Sequence, residues 1–151
     1  MTRAENAAQL FCNGYNCAQA VAAAFADLSG LTQQQAAKMV AGFGGGFGRL
    51  REVCGAVSGM TFVFSQLYGY EVPNEADQKQ VYATVQDMAA QFRAEAGSII
   101  CREILKNPPS DPAPTPRTAE YYAQRPCARM VYVAADILER YIAENPIAKA
   151  N

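Results

Sequence analysis

The sequence predicts an all-α protein, a compact bundle of about five to six helices. Apolar residues recur at helical spacing along nearly the whole chain, and no stretch shows the alternation typical of a strand. Good helix caps, among them Asn16, Thr32 and Ser98, precede several of these apolar runs. With 50% hydrophobic and 18% charged residues, the 151-residue chain is expected to form one domain over residues 1–151, with a buried core.

The first half of the chain predicts a series of helices that are separated by glycines. Gly14 and Gly30 interrupt the helical periodicity, and Thr32 with Gln35 forms a capping box before the third run. Seven of the eleven glycines lie between residues 42 and 59, where they predict a tight turn before the fourth helix. The predicted helices cover about residues 3–12, 17–28, 32–41 and 53–68.

The second half predicts two long helices, a short one between them, and a proline-rich loop. The helices cover about residues 75–96, 101–105 and 126–143. Five prolines between residues 107 and 116 prevent regular structure, so we expect a loop over about 106–117. The favoured interpretation of this loop is a connection across the surface. The alternative is a lid over a cysteine site or a polyproline II segment that binds a partner.

Composition and charge exclude several classes of function. The net charge of −1 gives no electrostatic case for binding nucleic acid or an anionic membrane surface. The N-terminal segment has Glu5 and Asn6 where a signal peptide needs an unbroken apolar stretch, and no apolar run is long enough to span a membrane. These observations predict a cytoplasmic protein without membrane insertion.

Four of the five cysteines lie where a helix is predicted to begin, and the chain has no histidine. The four are Cys17, Cys54, Cys101 and Cys127. A helix N-terminus stabilises an anion, so a cysteine placed there ionises more readily, and the thiolate is both the nucleophile and the metal ligand. The lack of histidine excludes Cys–His nucleophile pairs and metal sites with imidazole ligands. The pattern therefore indicates thiol redox or metal chemistry.

Cations next to three of these cysteines strengthen the case for thiolates. Arg102 follows Cys101, Arg125 and Arg129 flank Cys127, and Arg49 and Arg51 precede Cys54. Cys54 is expected to have the lowest pKa, since backbone N–H groups of the glycine turn, with Gly44, Gly45 and Gly46, also lie near it in sequence. Cys12 has neither a cap nor a cation beside it, and is predicted to be a core residue.

We expect the four helix-start cysteines to share one pocket. A disulfide requires Cα atoms about 4.4–6.8 Å apart, so at least one pair should approach that distance. The preferred partner of Cys54 is Cys101 or Cys127, because the flexible glycine turn allows Cys54 to move.

Four segments together resemble the C_GCAxxG_C_C family, whose members are described as redox-active. They are GYNCAQAV (14–21), FGGGFGRLREVCGAVSG (43–59), ICREIL (100–105) and PCARMVYVAADIL (126–138). By this resemblance Cys17, Cys54, Cys101 and Cys127 are the shared cysteines and Cys12 is an extra one, while Arg49 and Glu52 match the family's GR-x-x-E-x-CG stretch. The resemblance implies a redox or metal-linked role without an assigned reaction. It also keeps an iron–sulfur cluster in consideration, since the pattern occurs near cysteines proposed to hold clusters in cytochrome-fused relatives.

Three functions remain open at this point. The first is thiol–disulfide redox chemistry, as an oxidoreductase or an electron carrier, with a protein partner or a small-molecule thiol. The second is a zinc or iron–sulfur site in which the same four cysteines are the ligands. The third is a non-catalytic helical binding module. The sequence does not decide whether the chain forms a homo-oligomer.

Overall fold

The computed structural model describes residues 1–147, and their regular structure is helical. The eight α-helices in this part of the chain are α1 (Arg3–Cys12), α2 (Cys17–Ala24), α3 (Gln33–Met39), α4 (Gly55–Tyr68), α5 (Glu75–Ala96), α6 (Cys101–Ile104), α7 (Ala119–Gln124) and α8 (Cys127–Glu144). Two short 3₁₀ helices cover Ala26–Ser29 and Ala41–Phe43. The predicted all-α fold is confirmed, with more helices than expected.

The additional elements come from short segments with weak sequence signals. The predicted second helix ends early at Ala24 and is followed by a 3₁₀ turn that Gly30 closes with a φ of 71°. The six-residue α7 was not predicted; it begins after Thr118, whose side chain accepts a hydrogen bond from the Tyr121 N–H. Such a short helix has too few residues to show an amphipathic period, so the sequence gives little sign of it.

The helix caps explain where the longer helices begin. Asn16 and Thr32 each form a capping box, as does Thr2 before α1. The prediction that Ser98 caps the Cys101 helix is wrong, because the N-cap of α6 is Ile100; the Ser98 hydroxyl accepts from the Ile100 N–H, one residue before Cys101. Pro126 is the N-cap of α8, which makes Cys127 its first residue.

Helix α2 lies at the centre of the hydrophobic core and contacts α1, α3, α4 and α8. Its small side chains, mostly alanines, allow close packing on all sides, and Ala18 and Val21 are fully buried. A Cβ added to Gly59 would lie 2.7 Å from the Ala18 carbonyl oxygen. The approach of α2 and α4 at this point is therefore so close that only a glycine fits. This packing fixes the relative positions of the N-terminal ends of α2 and α4, where Cys17 and Cys54 lie.

None of the helices described for residues 1–147 is long and apolar enough to cross a membrane.

Candidate thiol site

The starts of four helices meet at a cavity of about 310 Å³. Its lining includes the four cysteines of the predicted site, Cys17, Cys54, Cys101 and Cys127. Cys17, Cys101 and Cys127 are the first residues of α2, α6 and α8, and Cys54 is the N-cap of α4. The fold thus gathers thiols that are up to 110 positions apart in the chain into one place.

Backbone hydrogen bonds hold Cys54 and Cys101 in fixed relation to each other. The Cys54 N–H donates to the Ile99 carbonyl at 2.7 Å, and the Cys101 N–H donates to the Glu52 carbonyl at 2.6 Å. Between these bonds, Val53 and Ile100 form an isolated antiparallel bridge. Cys54 and Cys101 each follow one residue of this bridge, so they lie diagonally across it. In a regular antiparallel ladder such diagonal neighbours are about 7–8 Å apart, and at that distance a disulfide requires backbone movement.

The glycine-rich turn has an unusual left-handed backbone. Residues 45–49 all have positive φ, and among them Phe47 and Arg49 are not glycines; Arg51 follows with a φ of 62°. Each such residue with a side chain costs about 1–2 kcal/mol. Gly46 lies directly against the site, since a Cβ added there would be 2.7 Å from the Cys101 Cβ. The turn therefore packs on Cys101 and directs Arg49 and Arg51 toward the cavity.

Arg51 is a buried cation beside a thiol. Arg51 is only 5% exposed, and its Nη1 lies 3.7 Å from the Cys101 Sγ. Its Nε donates to the Pro109 carbonyl at 2.9 Å. Within the part of the chain that the structure describes, Arg51 forms no ion pair with a carboxylate. Glu52, by contrast, is exposed and pairs with Arg102 on the outside of the site.

The proline-rich loop covers this cavity, which corrects the interpretation of the loop as a surface connection alone. Pro112, Pro114 and Thr115 are part of the cavity lining. Arg49 holds the loop in place, since its Nη1 donates to the Thr115 hydroxyl at 3.1 Å and its Nη2 to the Pro109 carbonyl at 3.4 Å. The lid interpretation therefore describes the position of the loop better.

Cys127 is the thiol whose environment most favours the thiolate. Its pKa is lowered to about 7, mainly by a hydrogen bond with Cys17 and further by the positive charges of Arg125, Arg117 and Arg51. The pKa of Cys17 is raised well above its ordinary value by its interaction with Cys127 and by partial removal of its sulfur from water, since Cys17 is half-buried. These shifts favour the thiol form of Cys17 and the thiolate form of Cys127, which lies at the start of an 18-residue helix.

The expectation that Cys54 has the lowest pKa is wrong. Burial raises the pKa of Cys54 to about 12, although backbone N–H groups of Ala56 and Val57 oppose the shift. The arginines that precede it in sequence turn away, since Arg51 contacts Cys101 and Arg49 binds the proline-rich loop. Burial also raises the pKa of Cys101, and Arg51 opposes that shift.

Two further residues, Cys12 and Arg117, lie in places that the sequence did not predict. Cys12 is exposed and not a core residue, because it ends α1 with its side chain outward while Phe11 is buried. Arg117, which sequence reasoning missed, lines the cavity and donates to the carbonyls of Phe11 at 2.8 Å and Tyr15 at 3.0 Å. An arginine inside a proline-rich loop carries no periodic signal, so only the three-dimensional structure could reveal it.

The four thiols do not form a ready-made metal site. Over residues 1–147, no three side chains of cysteine, aspartate or glutamate come together as a set that could hold a metal ion. All five cysteines are free thiols. In this conformation the arrangement therefore does not fit the four-thiolate ligation of zinc or an iron–sulfur cluster.

The fold and the site together define an all-helical protein with clustered helix-start thiols in an arginine-lined cavity. Residues 15–141 match the family model described as "Putative redox-active protein (C_GCAxxG_C_C)". The chain belongs to the C_GCAxxG_C_C family, as its motifs indicated. No match was found among curated proteins or among solved structures.

Proposed function

We propose that this protein carries out thiol–disulfide redox chemistry, with Cys127 as the nucleophile and Cys17 as its partner in a disulfide. The observation that carries the proposal is that both thiols line one cavity at the starts of α2 and α8, where Cys17 and three arginines lower the pKa of Cys127. A thiolate with a pKa near neutral pH combines a large ionised fraction with good nucleophilicity.

The proposed reaction transfers two electrons from the protein to a disulfide. The Cys127 thiolate attacks one sulfur of the substrate disulfide, which forms a mixed disulfide and releases the first substrate thiolate. That thiolate takes up a proton from Cys17, and the Cys17 thiolate then attacks the Cys127 sulfur. This step forms the Cys17–Cys127 disulfide and releases the second thiolate, which is protonated from solvent. The protein is oxidised, the substrate disulfide becomes two thiols, and the reverse sequence with an external dithiol restores the protein.

We propose in addition that Cys54 and Cys101 act as a second dithiol in the cavity, which reduces the Cys17–Cys127 disulfide. The Cys101 sulfur lies beside the Arg51 cation, which supports its ionisation against the effect of burial. Cys101 would attack the oxidised pair, and Cys54 would complete the second disulfide after a movement of the glycine turn.

The redox proposal also implies a compartment and a partner. Free thiols persist in a reducing compartment, so we propose a cytoplasmic location and an electron donor that is either a small thiol or a protein. Zinc or iron–sulfur ligation and a purely structural role for the cysteines are the competing functions, and they differ in a measurable way.

Mild oxidation of the reduced protein with diamide, followed by non-reducing peptide mass spectrometry, tests the proposal. We expect a Cys17–Cys127 linkage, with two thiols lost per chain before any other pair forms. Cys12→Ala is the control and should leave this linkage unchanged, since Cys12 lies outside the cavity. Oxidation that leaves Cys17 and Cys127 unlinked contradicts the proposal. Stoichiometric zinc, or iron with sulfide, in protein purified without oxygen would favour the metal function instead.

A further inference from the structure

The cavity that holds the thiols is strongly cationic. Four arginines contribute to its lining: Arg49, Arg51, Arg117 and Arg125. No aspartate or glutamate among the described residues lines it. The nearest acidic partner is Asp111, whose carboxylate lies 3.8 Å from Arg49 Nη2 but is 61% exposed to solvent. Among the described residues no buried carboxylate compensates this positive charge, and the single charge of a Cys127 thiolate compensates only part of it.

Arg51 is buried without a carboxylate partner, and Arg49, which is half-buried, has one buried atom without a hydrogen-bond partner. Arg51 is 5% exposed, and its described partners are a carbonyl and a thiol sulfur. The Nε of Arg49 is a buried donor with no hydrogen-bond partner, and no other side-chain nitrogen or oxygen among residues 1–147 is in that condition. Burying a guanidinium costs free energy unless an anion or several acceptors replace its water. An anionic ligand in the cavity would supply both the charge and the missing acceptor.

The remaining lining limits the size and shape of such a ligand. Ile104, Leu105, Pro112, Pro114 and Met130 give the cavity an apolar part. A volume of about 310 Å³ corresponds to roughly ten water molecules at about 30 Å³ each, which suits a compact molecule. A short aliphatic body with charged ends matches this combination of apolar wall and cationic wall.

We infer that the cavity binds a small carboxylate-bearing compound, and that the substrate class of the site is a low-molecular-weight disulfide with carboxylate ends. The second half of this inference rests on the proposed redox function. The carboxylates would bind Arg49 and Arg51, and the disulfide sulfur would face Cys127 across the cavity. The reaction is the two-electron exchange given above, in which the anionic disulfide becomes two anionic thiols and Cys17 and Cys127 become a disulfide.

A panel of three disulfides of similar length but different charge tests the inference: dithiodipropionate (anionic), hydroxyethyl disulfide (neutral) and cystamine (cationic). The rate of mixed-disulfide formation on reduced protein is measured for each by quenched-flow mass spectrometry. We expect dithiodipropionate to react about tenfold faster than the neutral compound, and cystamine to react more slowly than both.

Arginine variants separate recognition of the anion from activation of the thiolate. Arg51→Gln and Arg49→Gln should reduce the ratio of anionic to neutral rates toward one. A change in the pKa of Cys127 alters all three rates together and leaves that ratio unchanged, so the ratio reports the contact with the carboxylate. Arg51→Lys keeps the charge in case Arg51→Gln does not fold, and should keep most of the ratio. The exposed Arg140→Gln on α8 is the matched control and should leave the ratio at the wild-type value.

A binding measurement distinguishes failure of this inference from failure of the redox proposal. Adipate, with adipamide as its neutral match, is titrated into the Cys127→Ser protein and followed by calorimetry. Equal rates for the three disulfides overturn the anion inference and leave the redox proposal in place. No reaction with any disulfide, together with adipate binding that adipamide does not show, supports the anion site and overturns the redox proposal. No reaction and no adipate binding overturns both.

Discussion

At the scale of single residues, the charge state of each cysteine depends on its surroundings more than on its position in a helix. All four helix-start cysteines have comparable places in the sequence, yet the pKa of Cys127 is lowered to about 7 while that of Cys54 is raised to about 12. Burial dominates at Cys54, whereas at Cys127 a thiol donor and three arginines outweigh burial. A sequence shows caps and neighbours, but burial and the direction of an arginine are properties of the folded chain.

The first prediction concerns the hydrogen bond within the thiol pair. Cys17→Ala removes the largest cause of the lowered Cys127 pKa, so that pKa should rise from about 7 toward its ordinary value of 9.0. Iodoacetamide modification of Cys127, followed by peptide mass spectrometry from pH 5 to 10, measures the change. At pH 7 the modification rate should fall several-fold, because the thiolate fraction falls.

Cys12→Ala is the control for this experiment, since Cys12 lies outside the cavity. It should leave the inflection for Cys127 near 7. An inflection that stays near 7 in Cys17→Ala would mean that the arginines alone determine the ionisation of Cys127, and the proposed role of Cys17 as its proton-holding partner would fail.

At the scale of elements, the helices follow their sequence signals, while the turn that builds the site does not. The caps at Asn16 and Thr32 and the long helix Glu75–Ala96 appear where the sequence predicts them. The glycine-rich segment predicts a tight turn, but its left-handed run, which includes Arg49, depends on packing against Cys101 and the proline-rich loop. Local propensity disfavours that backbone, so the hydrogen bonds within the turn and its tertiary contacts must together hold it in place.

The second prediction tests how closely this turn is fitted to the site. In Gly46→Ala the new Cβ would lie 2.7 Å from the Cys101 Cβ, at a residue with a φ of 73°. We expect a loss of about 2–3 kcal/mol in the free energy of unfolding, from the clash and the backbone strain together, measured by urea denaturation. The alkylation rate of Cys101 should rise, because the turn must move away from it.

Substitutions at two other glycines separate the effect of the clash from that of the backbone strain. Gly30 has a similar φ of 71° with no atom within 4 Å of an added Cβ, so Gly30→Ala should show the strain alone, about 1 kcal/mol. Gly42 has open space and no positive φ, so Gly42→Ala should change stability by less than about 0.5 kcal/mol. Equal losses at Gly46 and Gly30 would show that the contact between the turn and Cys101 contributes nothing.

At the scale of the whole molecule, the all-α fold and the four clustered cysteines were accessible from sequence, and the composition of the cavity wall was not. Helical periodicity and caps are local signals, and the repeated placement of cysteines at helix starts pointed to a common site. Arg117 and the proline-rich loop reach the cavity through contacts between segments more than 60 positions apart, such as the bond from Arg117 to the Phe11 carbonyl. Such contacts depend on the packing of helices and leave no periodic trace in the chain.

The third prediction concerns the effect of oxidation on global stability. A Cys17–Cys127 disulfide joins the central helix α2 to α8 and closes a loop of roughly 110 residues, which by loop-closure entropy stabilises the fold by about 4–5 kcal/mol. The reduced protein has an opposing contribution at high pH. Because the native pKa of Cys127 is lowered from 9.0 to about 7, its thiolate stabilises the reduced fold above pH 9, and this contribution is lost as the pH falls through 7. The raised pKa of Cys17 acts in the opposite direction, but mainly above pH 9, where that thiol ionises in the unfolded chain.

Guanidinium denaturation of the oxidised and reduced protein at pH 7 and pH 9 therefore gives a definite pattern. The oxidised form should be more stable by about 4 kcal/mol at pH 7, and the difference should shrink by roughly 2 kcal/mol at pH 9, where the thiolate stabilises the reduced form. Cys17→Ala and Cys127→Ala should each abolish the difference, and Cys12→Ala should preserve it. A stability difference that does not change with pH would show that Cys127 has the same pKa in the folded and unfolded chain. A reduced form as stable as the oxidised form at pH 7 would show that the disulfide strains the packing of α2 on α8.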